Sequence, residues 1–427
     1  MQSKRLVIRF QCKPLFFYLL ALIAILYEPM QFILPRQYTY LFVFLSVGMV
    51  LALFFGFQRD ASKQSYALAA VFLLVVLNGL LKEHYPSNTI TMLSLYIGCI
   101  ALFLHRSEFS IVFQLKLIRM FIVFYYIVFA GVLLQLLLPS VYNALILSRY
   151  PVYNQENMTR FLSDGLWLSF FNNPAKLAGF AVYAFAFALF IPSSVKNRSA
   201  RYFVLLSSLL CVVMTAKRAF VLFGVIALLT VRIRYAPPGR RLGKLFKYLF
   251  LILLLLALVD LFLRFYTGET LIEVVSDFFR VSSEDISSSR FEYWDAAKML
   301  FRQNPLTGVG WIQFKNRLGR FHLIPNHVHN IYLQLLCETG IVFATGTFVI
   351  LLRNFIIAVR SLRHLYRNDP LANTDELPLK KGLLLSSLYI QLFFLLYGIT
   401  GNPLYDVMFF VPYAIACAIG GQSFMEK

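Results

Sequence analysis

The chain has 427 residues, of which 59% are hydrophobic and only 14% charged, against roughly 45–50% apolar and about 25% charged in soluble domains, a balance that excludes a soluble globular protein. Its net charge of +20 would suggest a nucleic-acid partner in a soluble chain. Here the Lys and Arg residues sit mainly in short loops between apolar runs, where they orient the chain in a bilayer, so membrane lipids and no nucleic acid are expected. Five scattered cysteines (Cys12, Cys99, Cys211, Cys337, Cys417), mostly inside apolar runs and without a CxxC pair, argue against a disulfide framework or a thiolate metal site.

From the N-terminus, Lys4, Arg5, Arg9 and Lys13 lead into the apolar run Leu15–Leu26 with no small-residue cleavage site before Glu28, which reads as a retained first helix. Repeated apolar runs near the spanning length of about 20 residues predict an all-α polytopic membrane protein of about 12 transmembrane helices. They fall at 14–34, 38–56, 66–82, 89–105, 118–138, 174–192, 202–216, 219–232, 247–265, 340–359, 382–399 and 403–421. The seventh and eighth are short and read either as two spans or as one broken unit. Basic connections, including the run from Arg232 to Lys247, alternate with connections poor in positive charge, so both termini are expected in the cytoplasm and the two long loops outside. The expected organisation is helices 1–5 over 1–138, a first outer loop over 139–173, helices 6–9 over 174–265, a large outer loop over 266–339 containing short helices, and helices 10–12 over 340–427.

The first outer loop carries Arg149 and Arg160 among aromatics. Its Tyr150, Tyr153 and Trp167 read either as a pocket lip or as ordinary headgroup anchors. Asn172-Asn173-Pro174 then opens helix 6, with Pro at a first helical position. Between helices 7 and 8, Lys217 and Arg218 fall on the outer side with almost no loop to hold them, either snorkelling to headgroups or meeting an anion. In the second outer loop, Ser289-Arg290-Phe291-Glu292 has a capping-box pattern and predicts a helix from Ser289 to about Arg302. This puts Arg290 at a positive helix end, a natural phosphate site. Asn304-Pro305 ends that helix, and Gly308 and Gly310 make a tight turn. His327, His329 and Asn330 precede a helical stretch from Ile331, with Gln334 and Glu338 on its next turns.

A His-x-His pair with His322 nearby admits three readings: metal ligands, helix-cap hydrogen-bonding groups, or acid–base groups. Imidazole, with an unperturbed pKa of about 6.5, suits proton transfer near neutrality, which favours the last. No P-loop, dinucleotide fingerprint or Asp-x-Asp pair occurs, and no metal or other cofactor is expected. An outer-face reaction without nucleotides draws its energy from the substrate itself, and a lipid-linked sugar diphosphate fits. Fixed cations would stabilise the departing diphosphate, and Arg290, Lys217, Arg218 and Arg160 are the candidates.

Several of these motifs are similar to the core of the O-antigen ligase and O-antigen polymerase superfamily. They are Arg290 with Trp294, the Pro305…Gly308-x-Gly310 turn, His329-Asn330, Glu338-Thr339-Gly340, the basic Lys217-Arg218 turn and the Asn173-Pro174 helix start. His329-Asn330 and Gly340 fit the ligase spacing, while Phe343 departs from it. The resemblance covers roughly residues 160–345. It implies an inner-membrane glycosyltransferase of the GT-C type, with about twelve helices and a large periplasmic loop. It also implies an undecaprenyl-diphosphate-linked glycan donor, a metal-independent inverting transfer, and an acceptor that is lipid A-core in a ligase or a second lipid-linked unit in a polymerase. Carried over, His329 becomes the base, Arg290 and Arg218 hold the diphosphate, and Lys217, Arg160, Asn330, His327, Trp294 and Asn173 bind substrate. A lipid-linked oligosaccharide flippase is the competing class; it predicts an internal repeat and ionisable groups within the spans, and neither stands out.

Overall fold

The computed structural model describes residues 111–235, 287–324, 326–367 and 376–420, with scattered positions between 243 and 270. The first four expected spans and most of the ninth lie outside the described residues. Among the described residues the chain is helical throughout, without strands. Its main helices are α1 (Ile111–Leu137), α2 (Pro139–Leu145), α3 (Val152–Ser163), α4 (Pro174–Phe190), α5 (Arg198–Met214), α6 (Arg218–Arg234), α7 (Ser287–Gln303), α8 (Phe314–Arg317), α9 (Ile331–Arg367), α10 (Glu376–Tyr397) and α11 (Val407–Gly420). Ile111–Leu137, Ile331–Tyr366 and Leu377–Tyr397 are long and apolar enough to cross a membrane, and Pro174–Phe190 and Met408–Gly420 are shorter apolar helices.

Small residues place α4 at the centre. Ala178, Gly179, Ala181, Ala184, Ala186 and Ala188 are all buried, so neighbouring backbones approach closely, as in packed membrane helices. A Cβ at Gly179 would overlap the ring of Phe409 on α11. Helix α4 packs against α5, α10, α11 and α1, and α10 in turn packs on α6, α9 and α11. Helix α5 shows what the outside of this bundle is made of. It buries Val204, Ser207, Ser208, Cys211 and Val212 and exposes Leu206, Leu209, Leu210 and Val213, the pattern of a helix with lipid on one side and protein on the other. Its inward hydroxyls are satisfied locally, Ser208 donating to the Val204 carbonyl at 2.6 Å, as a dry interior demands. Cys211, Cys337 and Cys417 are buried and form no disulfide.

Several expectations change in detail. Helices α5 and α6 are separate, each of 17 residues, at the short end of the roughly 17–25 residues that span a bilayer. The last span begins at Val407 rather than 403, because Pro403–Tyr405 forms a tight 3₁₀ turn first. Helix α7 begins at Ser287, two residues before the expected cap. A capping serine must lie outside the helix, and Ser289 lies inside it, so Arg290 falls on the fourth helical residue rather than among the first free N–H groups. The first long loop is mostly helical and folds inward. Tyr150 and Trp167 are buried, Tyr150 donating to the Phe170 carbonyl at 2.6 Å, so neither is a headgroup anchor. Tyr142, Ile146, Tyr150, Met158 and Leu168 form a small core of their own, and Gln135 of α1 fastens it by accepting from the Leu168 and Ser169 amides at 2.9 and 3.1 Å.

The segment 287–340 closes on α9. Tyr293, Ala296, Ala297 and Leu300 of α7 share a second hydrophobic cluster with Val309, Phe314, Leu318, Val328 and Cys337. Helix α9 is broken at Gly340, which has φ 70° and ψ 176°, a region essentially reserved for glycine. The break frees backbone groups, and the Gly308 turn takes them up. Val309 and Gly310 amides donate to the Cys337 and Glu338 carbonyls at 3.0 and 2.8 Å, and Ile341 donates to the Pro305 carbonyl at 2.8 Å. A Cβ on Gly340 would strike the Leu306 carbonyl, and one on Gly308 would strike the backbone of Glu338. Gly340→Ala is therefore expected to destabilise the protein by at least ~1–3 kcal/mol from backbone conformation alone, with the overlap adding to it. Thermal unfolding in detergent should show a clear drop for this variant and for Gly308→Ala, but not for Gly319→Ala, where a Cβ meets open space.

Candidate functional site

The turn before α9 brings the histidines together. Asn330 is the N-cap of α9, its Oδ1 accepting from the Tyr332 and Leu333 amides at 3.0 Å each, which is what an Asn at a helix start does best. The residue before it, His329, has φ 57°, a left-handed conformation uncommon for a non-glycine side chain. The surrounding bonds hold it there. Trp294 Nε1–H on α7 donates to the Val328 carbonyl at 3.0 Å, and the Val328 amide donates to Gln334 Oε1 at 3.2 Å.

That last bond fixes the protons. With Gln334 Oε1 accepting, its Nε2 is the donor, and it reaches His327 Nδ1 at 3.0 Å and Glu338 Oε1 at 3.2 Å. His327 Nδ1 must then accept, so its ring is neutral with the proton on Nε2. Burial, followed by the charges of Lys315 and His329, pushes the His327 pKa down to about 3, in agreement. Glu338 is wholly buried and receives four donors. Phe314 N–H and Gln334 reach one oxygen, and Ile312 N–H (2.8 Å) and Tyr405 O–H (2.7 Å) reach the other. A buried carboxylate is tolerable only when its lone pairs are satisfied in this way.

Cations gather around this turn from three separate places in the chain. Arg290 comes from α7, Lys315 from α8, and Lys217 from the short turn between α5 and α6, where Ala216 also has positive φ (51°). Lys217 lies over the Phe161 ring of α3, with Nζ 5.8 Å from the centroid. Burial first, then repulsion from Arg290, lowers the Lys217 pKa. Burial likewise lowers that of Lys315, with Lys176 adding to the effect and Glu338 opposing it. His329 feels all three neighbours: burial and the charges of Arg290, Lys217 and Lys315 push its pKa down to about 4. Its imidazole is therefore neutral at neutral pH and able to accept a proton.

Beside the cluster lies a cavity of about 510 Å³, inside the ~300–1,000 Å³ range of small-ligand sites. Helix α3 supplies Tyr153, Asn154, Asn157 and Phe161; the start of α4 supplies Asn172, Asn173 and Lys176; Lys315, His327, Tyr405 and Asp406 complete it. Asn173 caps α4 through the Ala175 amide at 2.9 Å, and Asp406 caps α11 through the Met408 amide at 2.9 Å.

Of the expected site residues, His329, Arg290 and Lys217 act on one another electrostatically, and Asn330 and Trp294 support the turn between them. Arg218 is half-buried at the first position of α6, beside Lys217. His327 and Asn173 line the cavity instead. Arg160 is exposed on α3 and is not among the cavity's lining residues. Sequence reading did not assign Lys176, Lys315, Tyr405 or Asp406 to the site. Lys176 carried the one usable signal, a cation just inside an Asn-Pro helix start. Among the described residues no group of three or more His, Cys, Asp or Glu converges.

Because Tyr405 supplies one of the four donors to Glu338, Tyr405→Phe is expected to destabilise the fold by ~1–3 kcal/mol. Glu338→Ala, which strands two backbone amides as well as Gln334 and Tyr405, should cost more. Thermal unfolding of the three proteins in the same detergent measures the order.

Comparison with known proteins agrees with this picture. No curated protein is significantly similar to the chain. Residues 202–348 match the family described as Wzy_C, O-antigen ligase, a segment that holds Lys217, Arg218, Arg290, His327, His329 and Glu338. That match supports placing this segment in the O-antigen ligase and polymerase superfamily.

Proposed function

We propose that the protein is an O-antigen ligase-type glycosyltransferase, moving a glycan from undecaprenyl diphosphate to an acceptor hydroxyl on lipid A-core at the periplasmic face of the inner membrane. The observation that carries this reading is the convergence of Arg290 and Lys217, from distant parts of the chain, on a neutral His329. In this reading His329 takes the proton from the acceptor hydroxyl. The freed oxygen attacks the anomeric carbon from the side opposite the diphosphate, the C–O bond to the diphosphate breaks, and the anomeric centre inverts. Arg290, Arg218 and Lys217 stabilise the charge growing on the departing diphosphate, as oriented cations in a poorly solvated site do well. Asn330 and Trp294 hold His329 in place, while Asn173 and His327 contact the glycan; Arg160 is the outermost cation. A polymerase, with a second lipid-linked unit as acceptor, would use the same chemistry, and the departure of Phe343 from the ligase spacing keeps that reading open; a ladder of growing lipid-linked chains would identify that product.

The pKa of His329 gives the proposal a sharper form. A base near 4 is weak, and the cause is cationic crowding as well as burial. A bound diphosphate would offset Arg290 and Lys217, raising the imidazole's basicity when the donor arrives. Free-enzyme activity (kcat/KM) should thus be retained down to about pH 4 and fall below it as His329 is protonated, whereas the acid limb of kcat should lie at higher pH. Coincident limbs would count against the mechanism. His329→Ala should lower kcat by ~10²–10⁴-fold and Arg290→Ala by ~10²–10³-fold, measured as glycan transfer by purified protein from lipid-linked donor. Wild-type turnover by His329→Ala would remove the assigned base.

A further inference from the structure

The cavity beside His329 has a composition that the transfer chemistry does not require. Its wall is rich in carboxamides, from Asn154, Asn157, Asn172 and Asn173, which pair well with hydroxyl groups. It has aromatic faces in Tyr153 and Tyr405, and two lysines, Lys176 and Lys315, open onto the same space. The lysines are close enough for Lys176 to disfavour the charge on Lys315. The one carboxylate in the lining, Asp406, is engaged in capping α11, and the other acid of the region, Glu338, is buried under its four donors. His327 contributes no charge, since Gln334 holds its Nδ1 as an acceptor. With Lys176 and Lys315 set against Asp406, the lining combines polyol-binding groups with one net positive charge.

We propose that this cavity is a subsite for an acidic sugar residue, one bearing a carboxylate or a phosphate, with Lys176 and Lys315 reading the anion and the asparagines reading the ring hydroxyls. The proposal rests on the glycan-transfer reading and names the substrate class that reading leaves open. Lys315 joins the two centres: it lines the cavity and acts on His329, so a sugar seated here lies next to the reacting atoms. Lys176, at the start of α4 and hydrogen-bonded to Asn172 Oδ1 at 2.9 Å, is not among the cations that act on His329 and in this proposal reads specificity alone.

The test uses full-length protein in nanodiscs and two probes, methyl β-D-glucuronide and its uncharged counterpart methyl β-D-glucoside, followed by saturation-transfer NMR. The glucuronide should bind about tenfold more tightly, as a charge-assisted contact implies. Lys176→Gln should remove that preference while leaving the glucoside unchanged, and Lys176→Arg should restore it. The glucoside signal reports whether each variant is folded. Equal binding of the two probes, or equal weakening of both in Lys176→Gln, would overturn the proposal. So would glucuronide binding that is lost in Arg290→Ala but kept in Lys176→Gln, since the probe would then sit with the diphosphate cations. Transfer assays comparing a neutral with a uronate-bearing acceptor, and then a neutral with a uronate-bearing donor, show which substrate places its acid here; Lys176→Gln should raise KM only for the acidic one. Loss of transfer in His329→Ala is read separately, so the subsite can fail while the transferase reading stands, and the reverse.

Discussion

The buried carboxylate of Glu338 is the constraint on which the rest of this structure depends. One carboxyl group with four donors fastens together three pieces of chain that also pack against one another: the 312–314 backbone, the first turns of α9 and the Tyr405 turn before α11. Removing a donor leaves a buried carboxyl oxygen short of a partner, where the cost of a missing partner exceeds the gain from an ordinary hydrogen bond. Gln334 extends it to His327 and to the Val328 backbone, so the geometry of the histidine turn is inherited from a residue nine positions further along.

A second constraint is positional. Five cations of the region (Lys176, Lys217, Arg218, Arg290 and Lys315) arrive from four places in the chain, with only Lys217 and Arg218 adjacent, and repulsion among them would ordinarily spread them. Instead, α7 is pinned to the histidine turn by Trp294 and by a shared apolar cluster, and the short Thr215–Lys217 turn admits little freedom. Burial first, and then this repulsion, lowers the basicity of Lys217, Lys315 and His329. An anion is the natural relief for such a site.

Much of this was legible in the sequence, and for physical reasons. Apolar runs of spanning length and Asn-Pro or Asn-capped helix starts are local signals, so α1, α4 and α9 fall near where they were expected. Gly308, Gly310 and Gly340 announced backbone that only glycine accepts. The capping box at Ser289 misled because a local pattern names a possible helix start, while the serines on its N-terminal side extend the helix past it. Lys315 and Tyr405 were not readable at all, since each owes its place to packing across long stretches of chain rather than to its neighbours. Tyr150 and Trp167 resembled interfacial anchors in composition, and only the inward folding of the first loop shows them to be core.

The layout of the cavity has a consequence of another kind. The segment matching the O-antigen ligase family, 202–348, contains His329 and the cations grouped around it. The cavity walls, apart from Lys315 and His327, come from outside it, on α3, the start of α4 and the turn before α11. In the proposed reading, chemistry and recognition are carried by different stretches of one chain. Under that reading, substitutions on α3 or in the turn before α11 would alter which sugar fits the cavity without touching the residues around His329.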